Sequence, residues 1–184
     1  MHGLKIIGSS HLSREERERI IGGDALVILT NHRTGEVKKI WGRNIVTNAG
    51  DVWYAQSACG ESPTNTFANL YLATAGPGTP AKDDDFSDYT LTGGSPTNKA
   101  VSATYPKTND GDSDNTGAGV DIVSWLFEFS TSDGPYSTIT HSFIAASGAS
   151  GTDPLLNSYK WAASWDKDAS TSAKVFANHE MLGS

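Results

Sequence analysis

Residues 121–130 read Asp121-Ile122-Val123-Ser124-Trp125-Leu126-Phe127-Glu128-Phe129-Ser130. Val123, Trp125, Phe127 and Phe129 alternate along the stretch, which places all four on one face of a β-strand. Ile122 and Leu126 stand on the other face, the pattern of a central strand covered on both sides. Asp133-Gly134-Pro135 then turns the chain, and residues 136–145 return as a strand with Ile139 and Phe143 inward. Upstream, Leu26, Val27, Ile28 and Leu29 form an apolar, partly β-branched run, and residues 36–41 alternate. The turn-like Asn31-His32-Arg33-Thr34-Gly35 between them makes a hairpin. Residues 67–74, 99–105 and 174–179 also read as strands. Residues 155–165 fit helix or strand, because Trp161 and Trp165, four apart, share a face in either.

Two short helices interrupt this pattern. Ser13-Arg14-Glu15-Glu16 matches a capping box, which predicts a helix over 13–21 that stops at Gly22-Gly23. Thr47 or Asn48 caps a second, with Asp51 in its first turn. Val52, Ala55 and Cys59 then share one face, which predicts that Cys59 is a small buried apolar residue. The sum is seven or eight strands and long polar loops. That predicts a mainly β chain: an N-terminal arm with a short helix (1–23), then a two-sheet β-sandwich or jelly-roll body (24–184).

Composition agrees. The 184 residues hold 19 Gly, 7 Pro and only 19% charged residues, which suits short strands and turns better than helical bundles. One cysteine excludes an intrachain disulfide framework and any cysteine-based zinc finger. No signal peptide and no apolar stretch of transmembrane length is legible. Net charge is −7 but uneven: residues 1–43 hold eight Lys/Arg against five Asp/Glu, and residues 44–184 hold six against sixteen. An acidic body argues against nucleic-acid binding. All five arginines (Arg14, Arg17, Arg19, Arg33 and Arg43) lie in the basic part. They are candidate partner-binding residues for an acidic neighbour, such as another copy of the body. The alternative is a helix with solvated charges.

Asp110-Gly111-Asp112-Ser113-Asp114-Asn115 is the richest chemical signal. Asp110, Asp112 and Asp114 occupy positions 1, 3 and 5 of a calcium loop and Asp121 position 12, so these four are candidate Ca²⁺ ligands. Glycine is missing at position 6 and Asp121 begins a strand, so a true EF-hand is not expected. A solvated acidic loop tip is the competing reading, and the run Asp83-Asp84-Asp85 reads as a solvated turn.

Other motifs fail their structural requirements. Gly76-Pro77-Gly78-Thr79-Pro80-Ala81 carries two prolines where a dinucleotide fingerprint must open a helix. His179-Glu180 has Gly183 where a zincin needs its second histidine. His141 is expected as a satisfied core or boundary histidine, and Glu128 as a solvent-facing residue of its strand. Trp161 and Trp165 offer a sugar-stacking platform or, more ordinarily, core packing. No catalytic constellation can be named.

Asn44-Ile45-Val46-Thr47-Asn48-Ala49-Gly50-Asp51, followed by Tyr54-Ala55-Gln56, resembles an N-terminal motif of structural proteins from tailed bacteriophages. Leu70-Tyr71-Leu72-Ala73-Thr74-Ala75-Gly76-Pro77-Gly78-Thr79-Pro80 is similar to the strand and Gly/Pro/Thr-rich segment that follows it there. The Trp-containing strand at 121–129, Thr34-Gly35-Glu36 and Val175-Phe176-Ala177-Asn178-His179 fit the same pattern. The resemblance covers about two-thirds of the chain and supplies no catalytic residue. It implies a non-enzymatic virion protein made in the host cytoplasm. The leading role is capsid decoration or cement, in which a homo-oligomer, by family habit a trimer, bridges capsomers through the major capsid protein. A neck, tail or fibre accessory, or a Ca²⁺-dependent carbohydrate-binding module for host attachment, are the alternatives. Neither nucleic acid nor membrane is expected as a partner.

Overall fold

The computed structural model describes residues 24–109 and 122–180. The expected arm and its helix, and the candidate calcium ligands Asp110, Asp112, Asp114 and Asp121, lie outside the described residues.

The strands are β1 (Ala25–Asn31), β2 (Val37–Val46), β3 (Phe67–Ala75), β4 (Thr90–Leu91), β5 (Asn98–Ala100), β6 (Lys107–Asn109), β7 (Ile122–Phe129), β8 (Tyr136–Ala146), β9 (Asn157–Lys167) and β10 (Thr171–Glu180). One α-helix, α1 (Asn48–Ala58), follows β2. The chain is thus mainly β, with ten strands and one α-helix among the described residues. They form one antiparallel sheet in the order β4-β3-β8-β9-β2-β1-β10-β7-β6, with β5 paired to β3.

The pairing is nested. β1 pairs with β10, β2 with β9 and β3 with β8, all antiparallel. The two ends of the sheet also meet across the core. Leu70 and Leu72 of β3 share one core cluster with Trp125 and Phe127 of β7, although five strands separate β3 from β7 along the sheet. Val101 donates its N–H to Ala68 O (2.8 Å) and Ser102 to Leu126 O (2.8 Å), so residues 101–102 stitch β3 to β7 without a continuous ladder.

The alternation predicted for β7 holds: Trp125, Phe127 and Phe129 line the inner cluster and Val123 packs against it. Ile122 and Leu126 are buried on the other face. However, β7 is not central, because only the three-residue β6 lies beyond it. Ile139 and Phe143 do not share a face as their spacing suggested: Ile139 joins the inner cluster and Phe143 an outer one. Register shifts between Tyr136 and His141, with Thr138 at φ 56°, reverse the alternation there. Residues 155–165 resolve as strand: Tyr159, Trp161 and Trp165 all enter the inner cluster. The strand expected over 99–105 is cut to Asn98–Ala100. Val101 and Ser102 spend their N–H groups on the stitch, and Tyr105 N bonds Ser102 O in a turn.

Helix α1 packs Tyr54 into the inner core and sets Trp53 against it. Thr47 is the N-cap and accepts from Gly50 N (3.1 Å) while donating to Leu155 O. The expected face of Val52, Ala55 and Cys59 is the wrong one: all three are exposed, and Gly50 and Tyr54 are the buried residues. Docking is set by the backbone contact at Gly50 and by the Tyr54 hydroxyl, not by a stripe of aliphatic side chains.

Candidate interaction face

Register carries the outward-facing residues of four neighbouring strands into rows. Trp41, Leu26, Phe176 and Leu126 stand side by side on β2, β1, β10 and β7. Lys39, Ile28, Lys174 and Glu128 form the next row, closed by a Lys174–Glu128 ion pair of 3.0 Å. On the β2–β9 ladder, Arg43 lies directly opposite Lys160, and both are exposed. Paired residues have Cβ atoms about 5 Å apart, so this is a cross-strand juxtaposition of like charges, which costs stability. Lys160 turns its amine to Gly78 O (2.5 Å). Arg43 makes no hydrogen bond or ion pair among the described residues.

Of the five candidate arginines, only Arg33 and Arg43 are described. They are not brought together: Arg33 sits in the β1–β2 turn, roughly 20 Å along the hairpin from Arg43. Sequence reading missed Lys160 as the neighbour of Arg43. Only a strand assignment for 157–167, and its register, could have revealed it.

The outer face of β3 and β8 is covered by the Gly/Pro-rich loop that follows β3. Tyr71 and Phe143 stack (5.4 Å, 4°), and Phe86 and Tyr89 pack over them. Asp84 anchors the loop by accepting from Tyr89 Oη (2.8 Å) and Ala81 N (3.0 Å). Asp85 caps the 3-10 turn Phe86–Asp88 through a capping box. Two of the three aspartates expected in a solvated turn are therefore structural. His141 is a satisfied boundary histidine, bonded to Pro77 O (3.0 Å) and Thr140 Oγ1 (2.8 Å), and burial lowers its pKa.

In the inner core, His179 contacts the Tyr54 hydroxyl through Nδ1 and Asn157 Nδ2 through Nε2. Trp125 Nε1 donates to the same hydroxyl (2.9 Å), and Asn157 Oδ1 accepts from Ile144 N (3.2 Å). Asn157 Nδ2 also reaches Asn44 Oδ1 (3.3 Å) and the Tyr159 hydroxyl, so the amide is shared among β2, β9 and β10. Burial pushes the His179 pKa down to about 3 and the Tyr54 phenol well up. These contacts tie α1, β7, β9 and β10 together. Trp161 and Trp165 are buried, with rings 6.4 Å apart, so they serve the core and not a sugar platform.

Glu128 is exposed as expected, held by Lys174 and by Ser102 Oγ (3.2 Å). One shallow recess is lined by Trp53, Pro63 and Phe67, and a second by Asn48, Lys82 and Asp85. Among the described residues no three His, Cys, Asp or Glu side chains form a metal-binding group. No helix among them is long and apolar enough to cross a membrane.

These features define a mainly antiparallel β protein with two like charges, Arg43 and Lys160, side by side on its outer face. Compared with known proteins, the chain matches no family model, no curated protein and no solved structure.

Proposed function

We propose that the protein is a non-enzymatic structural component of a tailed-phage virion, with a sandwich-like body of jelly-roll type. It acts as a decoration protein that docks on the acidic surface of assembled capsid subunits and bridges them as an oligomer. The observation that carries this reading is the Arg43–Lys160 pair. Two exposed cations held side by side on an acidic body are unfavourable in the free protein, and an anionic partner relieves them. The nested strand pairing supports the jelly-roll description.

The resembling motif supports the family reading in a specific way. Asn44 donates to Asn178 O (2.8 Å), Thr47 caps α1, and Gly50 lets α1 approach Leu156. The motif is therefore a set of fold determinants, and it carries a fold more than a role. Lattice repetition multiplies weak contacts, so a modest single-site affinity is enough.

Co-sedimentation with empty phage heads, and separately with isolated tails, tests the proposal. Saturable binding to heads at lattice stoichiometry supports decoration. Binding to tails alone moves the protein to a neck, tail or fibre role. Binding to neither, with chelator-sensitive glycan binding instead, replaces the proposal by a host-attachment module.

A further inference from the structure

Trp53 and Ser57 stand one turn apart on α1, so they share a side of the helix. With Pro63, Asn65 and Thr66 of the connecting loop and Phe67 at the start of β3, they line an open recess of about 290 Å³. Local bonds build its walls. Glu61 N donates to Gln56 O (2.9 Å), Gly60 N to Ser57 O (3.2 Å) and Thr64 N to Gln56 Oε1 (3.4 Å), which ties the loop to the end of α1. The rings of Tyr54, Phe67 and Trp125 lie 5.0, 6.3 and 5.8 Å from that of Trp53. Packing against three rings holds the indole at a set angle, yet Trp53 is only partly buried. Part of its surface stays open at the recess.

The lining selects the chemistry of a ligand. None of the six residues carries a charge, so nothing there offsets the desolvation of an ion. Asn65 and Thr66 make no side-chain hydrogen bond among the described residues. The Ser57 hydroxyl donates to Trp53 O (2.8 Å) and keeps lone pairs to accept. A wholly apolar ligand would cover these groups and leave them without partners. The volume stands near the lower end for small-ligand pockets, about 300 Å³, which suits one ring and not a chain. A neutral pyranose meets each condition. Its C–H face stacks on an indole, and its hydroxyls exchange hydrogen bonds with an amide and with other hydroxyls.

We propose that this recess binds one neutral pyranose unit, stacked on Trp53 and hydrogen-bonded to Asn65, Thr66 and Ser57.

Titration of the isotope-labelled full chain with methyl β-glucoside, methyl β-galactoside and N-acetylglucosamine, followed by NMR, tests this. Ligands of about a dozen heavy atoms reach a Kd on the order of 1 mM. At least one of the three should shift the Trp53 indole N–H and the Asn65 amide signals saturably. A chelator should change nothing, because no carboxylate lines the recess. Asn65→Ala, a loop substitution with no side-chain bond to lose, should weaken binding about fivefold. No saturable shift at these signals with any of the three sugars overturns the proposal. So does equal binding of cyclohexanol, which keeps the ring and one hydroxyl, or loss of binding in chelator, or unchanged affinity in a folded Asn65→Ala. Phage heads play no part in this titration, so its failure leaves the docking reading standing.

Discussion

Gly50 and Leu156 meet backbone to backbone: a Cβ on Gly50 would stand 2.0 Å from the Leu156 carbonyl oxygen. The obstacle is main chain, which cannot swing aside as a flexible side-chain end can. Gly50→Ala must therefore push α1 off the β8–β9 connection, at about 2–3 kcal/mol. Urea denaturation should show a lower midpoint with an unchanged slope. A midpoint within error of wild type would mean that α1 is not seated as described.

Thr47 uses both capacities of its hydroxyl, accepting from Gly50 N and donating to Leu155 O. Thr47→Ala removes the cap and strands a buried carbonyl, costing about 1–2 kcal/mol. Thr47→Ser keeps both bonds and should recover most of the loss. If serine and alanine are equally destabilised, the methyl group and not the cap is what matters.

Acid sensitivity follows from His179. Its pKa falls from about 6.5 in an unfolded chain to about 3 in the fold. The folded state therefore binds fewer protons. The stability this group contributes is complete above about pH 6.5 and drains away as pH falls toward about 3, at roughly 1.4 kcal/mol per pH unit between those limits. Melting temperature measured from pH 7 to pH 4 should fall steeply for wild type and less steeply for His179→Gln. Parallel curves would show that other groups govern the acid limb.

The long-range parts of this arrangement were the parts the sequence concealed. Period-2 alternation exposed the inner face of β7, and Asn44-Ile45-Val46-Thr47 announced the α1 entry, because both signals are local. Alternation broke between Ile139 and His141, where a register shift moved Phe143 to the opposite face from Ile139. Helical spacing misdirected the reading of α1. Its buried contacts come from a glycine and a hydrogen-bonded tyrosine, so the apolar stripe of Val52, Ala55 and Cys59 had nothing to bury against. The Arg43–Lys160 pair joins residues 117 positions apart, and only register creates it.

That pair gives a prediction in the opposite direction from most substitutions. Arg43→Glu turns a repulsive cross-strand pair into an attractive one, so the free protein should gain about 0.5 kcal/mol at low salt. Screening should shrink the gain as salt rises. Thermal denaturation in 20 mM and 500 mM salt (conditions on the order of those that span strong and weak screening) reads both effects. A destabilised variant at low salt would mean that Arg43 has an acceptor in the free protein.

The most direct test of the docking account is the binding of Arg43→Glu to empty phage heads, measured by co-sedimentation beside wild type. The variant should be as stable as wild type or more so, yet bind heads at least about tenfold more weakly, as loss of one well-placed charge contact of about 1.4 kcal/mol requires. Wild-type affinity from a variant that has reversed the charge at the centre of the face would contradict it.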